Sequence, residues 1–232
     1  MGLFDLFSAP DHQVTRSALE EADALDGTDD AVTRLVKRLT AVGIDGVGAY
    51  PGAAAVAAAA LEREQGNVTA AVRRVQRQAG LGAAVGGFVT SLGGFLTMIV
   101  AIPANVFEFY VQATRMTAAV AVLRGYDVTD ERIRTAILLT LVGSNAADIL
   151  TNAGVGTGTS AALQIASRGG VPRAALMVIQ KAVGFRILRS LGERVFTRLG
   201  KLVPLAGGAF GAVIDYAMMR RISHQAHLEF PG

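Results

Sequence analysis

Two carboxylates stand almost alone in long uncharged surroundings. Asp148 is the single charged residue between Thr135 and Ser167, and Asp215 the single one between Leu202 and Met219. A carboxylate in such company must be ion-paired, hydrogen-bonded or protonated, because burying a bare charge is too costly. Inside a membrane it would cost about 2.5–3.5 kcal/mol on insertion scales. Asn145, Asp148 and Asn152 fall at three- and four-residue spacing, so a helix would carry them as one polar stripe. The simplest reading makes Asn145, Asp148, Asn152 and Asp215 buried polar groups that hydrogen-bond between helices, with Arg115, Arg220 or Arg221 as ion partners. The alternative is ligand contact or proton handling, as in a hydrolase or transferase acting through Asp148 or Asp215.

Other chemistries find little support. The chain has no cysteine, which excludes disulfides, thiolate catalysis and sulfur-ligated metals and suits a reducing compartment. His224 and His227 lie one turn apart near Glu229, but the remaining histidine, His12, is far away in sequence. No metal is expected on that pattern. The Gly154–Gly158 run, GVGTG, lacks the lysine and hydroxyl residue of a phosphate loop and the spacing of a dinucleotide fingerprint. It reads as a linker. No Ser-His-Asp set or carboxylate pair stands out. The expectation is a non-enzymatic protein with no catalytic residue, cofactor or metal. Basic residues between 168 and 201 are spread around their helix with few aromatics among them, so nucleic acid is not an expected partner.

The elements that would position these groups are helical. Val32, Leu35, Val36 and Leu39 keep a 3-4 spacing. Gly43, Gly46, Gly48 and Pro51-Gly52 then break the chain. An alanine-rich helix over 53–66 ends at Gly66, and a helix over 68–79 carries Arg73, Arg74 and Arg77. Helical pattern returns through Arg115 to Leu123. Gly125-Tyr126-Asp127 is a turn, after which Asp127 or Thr129 caps the next helix, with Asp130 and Glu131 in its first turn. Pro172 opens a further helix reaching about Leu191. No alternating run is bounded by hairpin dipeptides. The fold class read from this is all-α, a multi-helix bundle with glycine-rich, tightly packed central apolar helices.

The dominant feature is the stretch Leu81–Phe107, LGAAVGGFVTSLGGFLTMIVAIPANVF, which has no charged residue. It is long enough to cross a bilayer, and Arg73, Arg74 and Arg77 before it would hold that end on the cytoplasmic side. Five glycines and Pro103 interrupt it. Gly82, Gly86 and Gly93 share a helix face, and small residues so placed let helix backbones approach closely. Gly207 and Gly211 repeat the pattern in the last apolar run. Membrane contact, a re-entrant segment and a wholly buried core helix are the three readings. The residues expected to touch lipid are Phe88, Leu92, Phe95 and Phe210, together with Leu3, Phe4, Leu6 and Phe7 of the N-terminal MGLFDLF.

Composition agrees with an apolar, helical chain. Of 232 residues, 51% are hydrophobic and 18% charged, against about 25% charged in an average soluble domain. Residues 1–30 hold eight acids against Arg16, which leaves 21 basic side chains against 11 acidic ones in the remainder. A basic body favours anionic partners. The N-terminus lacks a basic leader and a long apolar run, so the expected location is the cytoplasm. The expected division is an acidic segment over 1–30 and a helical domain over 31–230.

Three stretches, taken in order, resemble the EcsC-like family of bacterial proteins: Gly87–Val106, Gly125–Gly143 and Lys201–Phe230. Within them the most specific parts are Gly86-Gly87-Phe88 with Gly93-Gly94, Pro103-Ala104-Asn105, Gly125-Tyr126-Asp127, and Val203-Pro204 with Gly207-Gly208. The likeness covers roughly residues 40–230. It implies membrane-linked work and brings no agreed catalytic residues. Membrane lipid is therefore the leading expected partner, with the protein peripheral or partly inserted at the cytoplasmic face and accessory to a transport or envelope process. A homo-oligomer is a further expected partner, and a soluble module binding a small apolar ligand or lipid is the runner-up.

Overall fold

Val32, Leu35, Val36 and Leu39 are the buried stripe of the first helix, α1, Asp26–Leu39. The computed structural model describes residues 26–85, 104–142, 146–152, 173–199 and 206–232. α1 starts five residues before the expected boundary at 30/31, so the end of the acidic segment is helical. It runs directly into a π-helical turn, Thr40–Asp45. Gly43, expected to break the chain, lies buried inside that turn. A Cβ there would come within 2.8 Å of Thr114 Cβ and 3.2 Å of the Val111 carbonyl, so glycine lets the turn lie on its neighbour.

A two-residue hairpin follows. β1, Gly46–Val47, pairs antiparallel with β2, Tyr50–Pro51. Strands this short leave no alternation to read, and an all-helical reading misses them. The remaining described residues form α2, Ala53–Arg63; α3, Val68–Val85; α4, Ala104–Leu123; α5, Glu131–Val142; α6, Ala146–Asn152; α7, Arg173–Leu199; and α8, Ala206–Glu229. The described part is thus all-α apart from the hairpin. α3 is longer than expected and enters the uncharged stretch as far as Val85, and α7 extends well beyond Leu191.

Side-chain chemistry sets the helix ends. Asn67 Oδ1 accepts the Ala70 amide at 2.9 Å and caps α3. α4 ends where Gly125 takes φ +84°, the Gly125 amide donates to the Val122 carbonyl and the Tyr126 amide to the Ala121 carbonyl, each at 3.0 Å. The cap of α5 is neither Asp127 nor Thr129. Asp130 Oδ1 accepts the Arg132 amide at 2.8 Å, while Asp127 Oδ1 accepts the Thr129 amide and hydroxyl in the preceding turn. The sequence DVTD offers three capping residues, and the chain uses the last of them.

α4 is the central helix. From Phe107 to Ala121 every residue is buried except Arg115, and α2, α3, α5, α8 and the π-helical turn all pack on it. On α5, residues 135–141 are buried without a break. The buried threonine hydroxyls bond to their own helices: Thr114 to the Tyr110 carbonyl at 2.7 Å and Thr140 to the Ile137 carbonyl at 2.6 Å. α7 joins this layer through α5, α1 and α6.

Candidate functional site

The relative direction of four helices follows from their side-chain contacts. Gln76 Nε2 of α3 donates to the Ser223 carbonyl of α8 at 3.0 Å, and Gly80 of α3 lies against the Tyr216 ring. As α3 rises, α8 falls, so the two are antiparallel. At the far end of α4, Arg124 Nη2 lies 3.2 Å from His227 Nδ1, and the Tyr126 and Phe230 rings meet edge to face at 5.1 Å. α4 and α8 therefore finish together, and Gly82 of α3 sits beside Gln112 in the first half of α4. α5 turns back on α4, with Thr140 Oγ1 3.4 Å from Thr117 Oγ1.

One pole of this four-helix set therefore gathers the C-terminal ends of α3 and α5 and the N-terminal ends of α4 and α8. The described helix ends at that pole, Leu81–Val85, Ala104–Phe107, the end of α5 at Val142 and the start of α8 at Ala206, carry no charged residue. The opposite pole holds Arg124, Asp127, Asp130, Glu131, Arg132 and Glu229. No helix among the described residues is long and apolar enough to cross a membrane.

The outer surface of the α3–α8 pair reflects the same division. Near the uncharged pole, Leu81, Val213 and Tyr216 are 56%, 65% and 43% exposed. Further along, Arg73 and Arg77 on α3 and Arg220 and His224 on α8 are exposed. The spacing 73, 77, 81 makes one stripe on α3, and 213, 216, 220, 224 makes one on α8. The two acids of this pair, Asp215 and Glu229, are half-buried and buried respectively, and Glu229 accepts the Gln225 amide at 2.7 Å.

A polar seam runs inside α4, beginning one turn from its start at the same pole. Glu108, Gln112 and Arg115 follow one another along one side of the helix, and Glu108 is only 7% exposed. Gln112 Nε2 donates to Glu108 Oε1 at 3.0 Å. Gly82 allows this approach, since a Cβ there would lie 2.9 Å from Gln112 Oε1. The Arg115 guanidinium lies 4.1 Å from the centre of the Tyr50 ring on β2, an arrangement stabilising by about 0.5–2 kcal/mol. Burial pushes the Tyr50 hydroxyl above its usual pKa, opposed by Arg115 and reinforced by Glu108. Burial also lowers the Arg115 pKa, opposed by Tyr50 and Glu108. In this network the positive charge of Arg115 lies within electrostatic reach of both Tyr50 and Glu108. The spacing 108, 112, 115 is visible in the sequence, but its partner Tyr50 is more than fifty residues away, so local spacing does not reveal the seam.

The expected site residues divide sharply. Leu3, Phe4, Leu6, Phe7, Gly86, Phe88, Leu92, Gly93, Phe95 and Asn145 lie outside the described residues. Gly207, Phe210 and Gly211 fall on α8 and Asp148 on α6, in positions whose side chains lie outside the description. Asn152 is exposed rather than buried, so it is not part of a buried polar stripe. Asp215 is half-buried. Arg220 and Arg221 are exposed, and Arg115 faces Tyr50 and Glu108. His224 and His227 are exposed, and among the described residues no group of three or more His, Asp or Glu could hold a metal. Met177 and Val178 on α7 form a further exposed apolar pair.

The EcsC protein family matches over residues 55–231, from α2 to the C-terminus and well over half of the chain. Neither a curated protein nor a solved structure matches the chain.

Proposed function

From the premise that this chain belongs to the EcsC protein family, we propose that it is a non-enzymatic helical protein that attaches to a membrane surface by its uncharged pole. The attachment is peripheral or partly inserted, at the cytoplasmic face, and serves a transport or envelope process as an accessory. One observation carries this reading: uncharged ends of α3, α4, α5 and α8 meet at a single pole, where Leu81, Val213 and Tyr216 are exposed. Apolar side chains gathered in this way mark an interaction surface, whereas scattered ones need no explanation. Leu81 and Val213, each more than half exposed, would contribute roughly 1–2 kcal/mol apiece on entering an apolar layer. That supports reversible attachment rather than permanent insertion.

Fractionation of cells tests the proposal. The protein is expected to sediment with membranes at low salt and to be released by alkaline carbonate. Complete recovery in the supernatant at low salt would overturn it.

A further inference from the structure

We propose that the outer face of the α3–α8 pair is a seat for anionic phospholipid headgroups, in which Arg73, Arg77 and Arg220 pair with lipid phosphate while Leu81, Val213 and Tyr216 enter the apolar layer. This inference rests on the membrane reading above and names the lipid class and the orientation.

The argument is geometric. A helix rises 1.5 Å per residue, so Arg77 stands about 6 Å and Arg73 about 12 Å from Leu81 along the α3 axis. On α8, Arg220 stands about 6 Å from Tyr216 and about 10 Å from Val213. The polar layer of a bilayer is roughly 6 Å deep on each side of the hydrocarbon. With the apolar tip at the hydrocarbon boundary, Arg77 and Arg220 reach the depth of the phosphates and Arg73 stands just above them.

Charge complementarity selects the occupant. Each of the three arginines is exposed, while the acids of these two helices are half-buried or buried. The nearest acid of the preceding helix end, Glu64, is engaged by Arg74 Nε at 2.5 Å. An arginine fork matches phosphate oxygens in pairs and is less strongly hydrated than an ammonium, so it suits an interfacial depth. Tyrosine, with an apolar ring and a polar tip, also suits that boundary. A nucleic acid would use the arginines but would leave Leu81 and Val213 in water.

The test is flotation of the full chain with vesicles of phosphatidylcholine alone and of phosphatidylcholine mixed with phosphatidylglycerol. Binding is expected to favour the mixed vesicles strongly and to weaken with salt. Each of Arg73→Gln, Arg77→Gln and Arg220→Gln should reduce affinity for mixed vesicles about five-fold. Arg77→Lys and Arg220→Lys should retain most of it, which separates loss of charge from loss of fold, with circular dichroism as the control for folding. Equal, salt-insensitive binding to both vesicle types overturns the headgroup seat and leaves the membrane reading standing. Binding to neither overturns both. Equally tight, salt-sensitive binding to duplex DNA or RNA, with no preference among vesicles, also overturns the seat.

Discussion

α4 and α8 are similar in length and both open out of uncharged sequence, yet they end up in opposite surroundings. α4 is wrapped by α2, α3, α5, α8 and the π-helical turn, and its few polar groups answer one another inside the fold. α8 packs one side against α3, α4 and α5 and leaves Val213, Tyr216 and Arg220 exposed. Low charge on α4 is the signature of a core helix. Low charge at the start of α8, followed by arginines, gives a face divided along its length. The same composition therefore has two meanings, and what decides between them is how many neighbours surround the helix.

The comparison can be broken most sharply in the core. Leu138→Ala or Ile137→Ala removes a wholly buried side chain and should lower stability by about 2–5 kcal/mol in urea unfolding. Val213→Ala, on the exposed face, should stay within about 0.5 kcal/mol. Similar losses at both positions would mean that α8 is covered.

Backbone contact gives a smaller effect. Gly43→Ala forces a methyl group against Thr114 and the Val111 carbonyl and should cost about 1–3 kcal/mol. Gly82→Ala meets only the tip of the Gln112 side chain, which can swing aside, so it should cost less. The reverse order would contradict the packing of the π-helical turn on α4.

The smallest effect concerns the charged pole. Asp130→Ala removes the cap of α5 and should cost about 1 kcal/mol. The Asp130 carboxyl is held below its usual pKa, chiefly by its hydrogen bond from the Arg132 side chain and then by the Arg132 amide. Its folded pKa is therefore the lower one, so its stabilisation is present above the ordinary carboxylate pKa and is lost as pH falls through the folded value. Acid titration of Asp130→Asn should show a shallower loss below about pH 4 than the unchanged chain.

Much of this was legible in the sequence. The α1 stripe of Val32, Leu35, Val36 and Leu39 and the Gly125 turn follow from local spacing and from glycine's freedom at positive φ. The resemblance to the EcsC family rests on short glycine and proline motifs, and the family match over residues 55–231 bears it out. What was not legible depends on distant contacts. Nothing local to Glu108, Gln112 and Arg115 points to Tyr50. Asn152 shares helical spacing with Asp148, yet it is exposed, and spacing alone does not say which side of a helix is covered. The hairpin at 46–51 is too short to show a period. The meeting of uncharged helix ends at one pole needs helix directions, which come from contacts between distant residues such as Gln76–Ser223, Thr117–Thr140 and Tyr126–Phe230.

The central claim is that one pole meets the membrane and the other does not. The absence of cysteine allows a single reporter thiol to be placed at will. Val213→Cys and Val68→Cys replace exposed valines at opposite ends of the α3–α8 pair, and each can carry an environment-sensitive fluorophore. On adding phosphatidylcholine–phosphatidylglycerol vesicles, the label at 213 should shift to the blue and be quenched by nitroxide-bearing lipid, while the label at 68 stays unchanged. An unchanged label at 213, or an equal response at 68, would contradict the account.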